Sequence, residues 1–168
     1  MTRKHTNEFV LGAEKGTQFM SDKEQGPEMT ADMMTATWAG GMRFVYKSAS
    51  GHGLVTDAAL ANGGGGTAAS PMELIILGLI GCTGVDVASI LERMREPLLG
   101  LEVSATYERS ETHPKVYTKI HLTYSLRGSD LDEKKVRRAI DLSENKYCSV
   151  STMLGHTAEI THEYAIES

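Results

Sequence analysis

Two cysteines, Cys82 and Cys148, are the residues of this chain best suited to covalent or redox chemistry. The thiolate is the reactive form of cysteine, and burial in apolar surroundings raises the thiol pKa and makes the residue inert. Asp86 follows Cys82 by four positions, so the two share one face of any helix that contains them. A carboxylate there disfavours a thiolate, and a buried aspartate needs a partner in any case. The pattern leaves open whether Asp86 belongs to a reactive site or is a structural cap or ion pair.

Cys148 follows Lys146 and Tyr147 at the start of a predicted short helix, where free N–H groups and the helix dipole favour a thiolate. The two cysteines can meet only through folding, and the alternative is a pair of buried, inert thiols. Two cysteines alone cannot bind zinc, and no histidine or cysteine stands at ligand spacing. We therefore expect no metal at this site.

The helix that carries Cys82 is predicted from Ser70 onward. Ser70 is an N-cap, Pro71 occupies the first helical position, and Glu73 completes a capping box. The helix is apolar on nearly every side and ends before Pro97, which predicts burial all round. Its interior glycines are unfavourable in a helix, so we expect another backbone to approach closely there, at Gly78, Gly81 and Gly84.

The other elements follow from alternation and turn residues. Residues 31–60 predict a small antiparallel sheet, and the glycine run Gly63–Gly66 after it predicts a flexible hinge. Two long strands are predicted on either side of His113-Pro114, and Ser129 or Asp130 starts a second helix. A short helix at 148–155 and a last strand at 158–166 complete the order β-β-β-α-β-β-α-α-β, which indicates an α+β fold.

Composition sets limits on the function. The chain has 168 residues, 40% of them hydrophobic, which fits a single domain at 30–168 preceded by a flexible N-terminal extension at 1–29. The net charge of -5 argues against nucleic acid or an anionic membrane as a partner. The longest apolar stretch, Leu74 to Ala88, is shorter than the roughly 20 residues of a membrane span. With no visible signal peptide, we expect a cytoplasmic protein.

Two stretches carry a family resemblance: GGGGTAASPMELIILGLIGCTGVDVASIL and the later DLSENKYCSVSTML. They resemble the OsmC/Ohr family of thiol-dependent peroxidases, and most closely its OsmC-like redox protein branch. The resemblance covers residues 31–168. It implies antiparallel sheets around a buried central helix, in an intertwined homodimer with active sites at the interface. It also implies that Cys82 is the peroxidatic cysteine and Cys148 the resolving one, with no bound cofactor and an external dithiol of the dihydrolipoyl type as reductant.

The chain departs from the family pattern near the start of the helix. Characterised members place a glutamate directly after the proline, where it orients an arginine that activates the first cysteine. Here that position is Met72, and the acid is Glu73, about half a turn away from Cys82 around the helix. Capping also explains Glu73. Arg43, in the N-terminal sheet, is the nearest candidate for the activating arginine.

Three functions remain open at this point. The first is reduction of hydroperoxides, and the apolar helix favours organic hydroperoxides over hydrogen peroxide. The second is a redox sensor, or a binder of small hydrophobic molecules, that keeps the fold and the cysteines without efficient turnover. The third is a structural dimer with inert thiols. Met72 favours the second function, whereas the pair of cysteines favours the first.

Overall fold

The computed structural model describes residues 33–167, and the fold is α+β, as predicted. Its strands and helices follow the predicted order, and the strands form two three-stranded sheets. The predicted extension at 1–29 lies outside the described residues, so the domain boundary at residue 30 stays a prediction.

The first sheet consists of three short antiparallel strands: β1 (Thr35–Trp38), β2 (Phe44–Lys47) and β3 (Gly53–Thr56). Gly40 and Gly41 turn the chain between β1 and β2 with φ of 91° and 60°, a backbone region that favours glycine. In the described part of the chain, no strand of this sheet packs extensively on a helix or strand outside the sheet. Its exposed apolar side chains include Trp38, Val45, Leu54 and Val55.

The glycine run after β3 packs around the buried Asp57, so the predicted flexible hinge is wrong. The Asp57 carboxylate accepts hydrogen bonds from the N–H of Gly65 at 3.1 Å and from the hydroxyl of Thr67 at 2.8 Å. A Cβ at Gly64 would collide with the backbone of Ala58. Hydrogen bonds, first of all from Thr67, hold the pKa of Asp57 below its ordinary value. Close packing therefore requires a glycine at position 64.

The central helix, α1 (Pro71–Arg93), begins as predicted. The N–H of Glu73 donates to the Ser70 hydroxyl at 3.3 Å, and the N–H of Ser70 donates to the Glu73 carboxylate at 2.6 Å. This is a complete capping box with proline at the first position. It satisfies donors that would otherwise be free at the helix start, and it fixes where α1 begins.

Within the chain, α1 is buried on one face only, so the prediction of burial all round is wrong for a single chain. On the opposite face Leu77 is 50% exposed and Val85 is 70% exposed. An added Cβ at Gly78 or Gly81 would have no described atom within 4 Å, so the predicted backbone approach is also absent from the described residues. The buried positions recur every three or four residues: Ile76, Leu79, Thr83, Val87, Ile90 and Leu91.

The second sheet contains β4 (Leu98–Arg109), β5 (Tyr117–Gly128) and β6 (Glu159–Glu167), with β5 in the middle. β4 is antiparallel to β5, but β6 is parallel to it, so the second sheet is mixed and not antiparallel throughout as the resemblance implied. Two helices separate β5 from β6, and a crossover of this kind is what a parallel pair requires. The buried residues of β5 include Tyr117, Ile120, Leu122, Tyr124 and Leu126.

The crossover consists of α2 (Glu133–Leu142), a π-helical turn at Ser143–Tyr147 and α3 (Ser149–Leu154). Asp132 caps α2 through its side chain, which accepts the N–H of Lys134 at 2.8 Å. The predicted start at Ser129 or Asp130 is therefore too early, because Asp130 has a φ of 57°. The π-helical turn and α3 both contact α1.

By length and composition alone, α1 could cross a membrane, since its 23 residues contain a window with a mean hydropathy of 2.2. The core helix of a globular protein passes the same test. α1 packs against β4 and α2, which supports a core role.

Candidate active site

The fold brings Cys82, Asp86 and Cys148 together. The two sulfur atoms and a carboxylate oxygen of Asp86 all lie within 4.8 Å of one another. Cys82 and Asp86 are one turn apart on α1, and Cys148 lies between the π-helical turn and α3. Both cysteines are free thiols. Because an S–S bond is about 2 Å long, a shift of less than about 3 Å would allow a disulfide to form.

Backbone contacts fix the position of Cys148. Cys148 is the N-cap of α3, and its sulfur accepts the N–H of Ser151 at 3.4 Å. Its own N–H donates to the carbonyl of Ser143 at 2.8 Å. Cys148 is only 1% exposed, whereas Cys82 is partly exposed. A reagent from solvent therefore reaches Cys82 first.

The surroundings of Cys82 disfavour its thiolate. Burial raises the pKa of Cys82, and the hydrogen bond to Cys148 and the negative charges of Cys148 and Asp86 raise it further. The N–H of Val150 acts in the opposite direction. None of the groups that shift this pKa is positively charged.

A buried hydrogen-bond network extends from Asp86 into the core. The Ser143 hydroxyl donates to Asp86 Oδ2 at 3.2 Å. The Thr83 hydroxyl lies 2.8 Å from that of Ser143 and 2.7 Å from that of Tyr124. Thr83, Ser143 and Tyr124 are fully buried, and burial keeps the pKa of Tyr124 far above its ordinary value. The network ties α1, β5 and the π-helical turn to one another beside the cysteines.

The network continues outward from Tyr124. Its hydroxyl donates to Glu144 Oε1 at 3.2 Å, and Glu144 Oε2 lies 2.6 Å from Nδ1 of His162 on β6. The sequence patterns did not point to the residues of this network, because its contacts join positions 18 to 60 residues apart. Two signals were available: Thr83 lies within the first family-like stretch, and SEN at 143–145 lies within the second.

Removing the Thr83 hydroxyl should destabilise the fold. We expect Thr83→Val, which keeps the shape, to lower the free energy of unfolding by about 1–3 kcal/mol, because two buried hydroxyls lose a partner. Urea unfolding followed by circular dichroism measures this. Thr106→Val, at an exposed position on β4, serves as the control and should change stability by less than about 0.5 kcal/mol. Equal stabilities of the two variants would contradict a structural role for the network.

Two other candidate residues lie elsewhere. Glu73 uses its carboxylate in the capping box. Arg43 is exposed in the turn between β1 and β2, and in the described part of the chain its side chain forms no ion pair or hydrogen bond. It is not among the groups that shift the pKa of Cys82. The proposed roles of Arg43 and Glu73 in the site stay predictions.

Comparisons with known proteins agree with this fold. The profile of the family described as OsmC-like protein matches residues 63–163. Protein YhfA of Escherichia coli K12 is 41% identical over 129 residues, which cover 77% of this chain and 93% of that protein. The chain therefore belongs to the OsmC-like protein family.

Solved structures share the fold. A hypothetical protein from Aquifex aeolicus is 27% identical, with a TM-score of 0.69 over 83% of this chain and all of that one. An organic hydroperoxide resistance protein from Elizabethkingia anophelis is 17% identical, with a TM-score of 0.63 over 80% of this chain and 94% of that one. At that identity the second likeness supports the fold alone.

Proposed function

We propose that this protein is a thiol-dependent peroxidase that reduces organic hydroperoxides in the cytoplasm. The observation that carries the proposal is the meeting of Cys82 and Cys148 within 4.8 Å, although they lie on separate elements. The structural neighbour from Elizabethkingia anophelis is named as an organic hydroperoxide resistance protein, and the proposal carries that chemistry over to this chain. Free thiols also suit a reducing compartment.

The proposed cycle has three steps. The Cys82 thiolate attacks the outer peroxide oxygen, which breaks the O–O bond and leaves Cys82 as a sulfenic acid, with the alcohol as product after it takes up a proton. The Cys148 thiol displaces water from the sulfenic acid and forms the disulfide. An external dithiol, of the dihydrolipoyl type, reduces that disulfide by exchange and is itself oxidised.

Cys82 is the proposed attacking residue because it is the more accessible of the two. Because the pKa of Cys82 is raised, little of the thiol is ionised at neutral pH. A positive charge placed next to Cys82 would stabilise the thiolate and so accelerate the attack. Arg43 is our candidate for that charge, supplied from the first sheet of a second copy of the chain.

A homodimer is part of the proposal. Beside the exposed face of α1 lies an open, mostly apolar groove of about 400 Å³, which includes Leu77, Gly81 and Val85. The first sheet is likewise exposed and apolar. Soluble monomers rarely expose such connected apolar surfaces. A second copy would cover the α1 groove and the first sheet, and its side chains would pack against the helix glycines.

The second candidate function is a redox sensor or a binder of small hydrophobic molecules. The raised pKa of Cys82 favours the binder in particular, since a sensor cysteine, like a peroxidatic one, reacts as the thiolate. Reduced protein with excess cumene hydroperoxide and dihydrolipoamide distinguishes the functions. Repeated turnover supports the peroxidase, and a single oxidation without turnover supports the sensor. No thiol reaction, together with saturable uptake of an apolar ligand, supports the binder.

The pKa of Cys82 determines how the reaction depends on pH. Because that pKa is raised above the ordinary value for a cysteine, we expect the rate of Cys82 oxidation to rise about tenfold per pH unit between pH 6.5 and 8.5. Asp86→Asn removes a nearby negative charge, so its rate at pH 7.5 should be about two- to tenfold higher. Stopped-flow measurement of thiol oxidation gives the pH dependence and the effect of the substitution. A chelator in the buffer keeps metal ions away from the thiols. Slower oxidation of Asp86→Asn than of the natural chain would contradict the effect assigned to the Asp86 charge. The matched control is Glu92→Gln, at an exposed position of α1.

A further inference from the structure

The site described above also has the composition of a metal centre. Cys82, Asp86 and Cys148 offer two sulfurs and one oxygen, all within 4.8 Å of one another. A tetrahedral zinc ion with Zn–S of about 2.3 Å and Zn–O of about 2.0 Å needs donor separations of about 3.5–3.8 Å. The three donors therefore have to close by about 1 Å, which is within the reach of side-chain adjustment.

The charges around these donors suit a cation better than they suit free thiolates. In residues 33–167, no lysine, arginine or histidine forms an ion pair with Asp86. Arg93 lines a small cavity with Asp86 without pairing with it. Two thiolates and one carboxylate carry three negative charges, of which a divalent ion compensates two. A bound ion also stabilises the deprotonated form of a thiol.

Hydrogen bonds already orient two of the three ligands, as outer contacts do in metal sites. Asp86 Oδ2 accepts from the Ser143 hydroxyl at 3.2 Å, and the sulfur of Cys148 accepts from the N–H of Ser151 at 3.4 Å. Ser143 is itself held by Thr83 at 2.8 Å. These contacts come from α1, the π-helical turn and α3. The positions of the ligands therefore do not depend on α3 alone.

The donor types select the metal. Thiolate sulfur favours zinc over magnesium or calcium, which prefer oxygen ligands. A cavity of about 130 Å³ beside Asp86, lined by Ser89 and Tyr147 among others, has room for a water molecule, although neither cysteine lines it.

We propose that the reduced protein binds one Zn²⁺ per chain through Cys82, Asp86 and Cys148, with water as the fourth ligand. Binding displaces the two thiol protons, and no electrons are transferred. Zinc and the disulfide are mutually exclusive, because a disulfide offers no thiolate. If the proposed peroxidase function holds, zinc protects the thiols from hydroperoxide until it is removed.

The test uses reduced, metal-free protein titrated with Zn²⁺ against a chromophoric chelator. Co²⁺ serves as a spectroscopic probe for thiolate ligation and tetrahedral geometry. We expect one ion per chain, no binding by the oxidised protein or by Cys82→Ser, and at least about tenfold weaker binding by Asp86→Asn. Ser143→Ala, which is not a ligand, should also bind about tenfold more weakly. Glu92→Gln should bind like the natural chain.

Failure of this inference is separable from failure of the proposed function. The inference is overturned if the reduced natural chain binds no zinc, or if Asp86→Asn binds zinc as tightly as the natural chain does. Either result stands even if hydroperoxide oxidises both thiols. Zinc binding by a protein whose thiols ignore hydroperoxide leaves the inference standing and overturns the peroxidase. Circular dichroism shows whether each variant is folded. If Cys82→Ser is unfolded, Asp86→Asn and Ser143→Ala decide.

Discussion

Cys82→Ser is expected to abolish hydroperoxide reduction, whereas Cys148→Ser should still react once and then stop. Cys82 is the accessible thiol, and a serine hydroxyl cannot form the sulfenic acid. Without Cys148, the sulfenic acid at Cys82 has no neighbouring thiol to condense with and should persist long enough to be trapped. Turnover with dihydrolipoamide should fall at least about a thousandfold in Cys82→Ser, which corresponds to about 4 kcal/mol of activation free energy.

Mass spectrometry after dimedone treatment reads the outcome directly. Cys148→Ser exposed to one equivalent of cumene hydroperoxide should carry the dimedone adduct on Cys82. The natural chain should carry a disulfide and little adduct. The control is Met153→Leu, at an exposed position of α3, the helix that Cys148 caps. It should behave like the natural chain. An adduct on Cys148 in Cys82→Ser, at a comparable rate, would reverse the assigned roles of the two cysteines.

Val85→Glu is expected to break the proposed homodimer. Val85 is 70% exposed in the single chain and lies beside the open helix glycines, where the second copy should pack. A carboxylate buried there without a partner costs about 3–5 kcal/mol, and a symmetric interface contains it twice. We therefore expect the dissociation constant to rise at least about a hundredfold. Analytical ultracentrifugation over a range of concentrations measures the change.

The matched control is Val116→Glu, which introduces the same charge just before β5, outside the α1 groove. It should remain dimeric. A natural chain that sediments as a monomer at micromolar concentration would contradict the proposed dimer, as would a Val85→Glu variant that stays dimeric.

Local patterns predicted the fold well. The capping box at Ser70 located the start of α1, and the alternation of apolar residues located the two long strands of the second sheet. The family-like stretches around the two cysteines indicated the fold class. Such signals are local in the chain or specific to a family, and both can be recognised in one sequence.

The errors involve contacts that local patterns do not contain. The burial of α1 was overestimated because an apolar helix can be covered by its own chain or by a second copy, and composition does not distinguish these. The glycine run was interpreted as a hinge because nothing in its sequence points to packing around Asp57. The parallel pairing of β6 depends on the path of two intervening helices.

The candidate site was predicted in part. Sequence reasoning selected both cysteines and Asp86, and the structure places them together. It predicted no metal from cysteine and histidine spacing along the chain, and that stays a prediction beside the proposed zinc site. The ligand set that the structure suggests joins an i, i+4 pair on α1 to a residue on another element. Thr83, Ser143 and Glu144 were missed for the same reason, since their partners are distant in sequence.

The most direct test of the proposed function is a free-thiol titration of the reduced natural chain before and after one equivalent of cumene hydroperoxide. Chelator is present throughout, so that bound metal does not mask the thiols. We expect two thiols per chain before the reaction and none after it, with an intramolecular Cys82–Cys148 disulfide in the peptide map. Retention of both thiols would contradict the peroxidase and would favour a binding protein on the same fold.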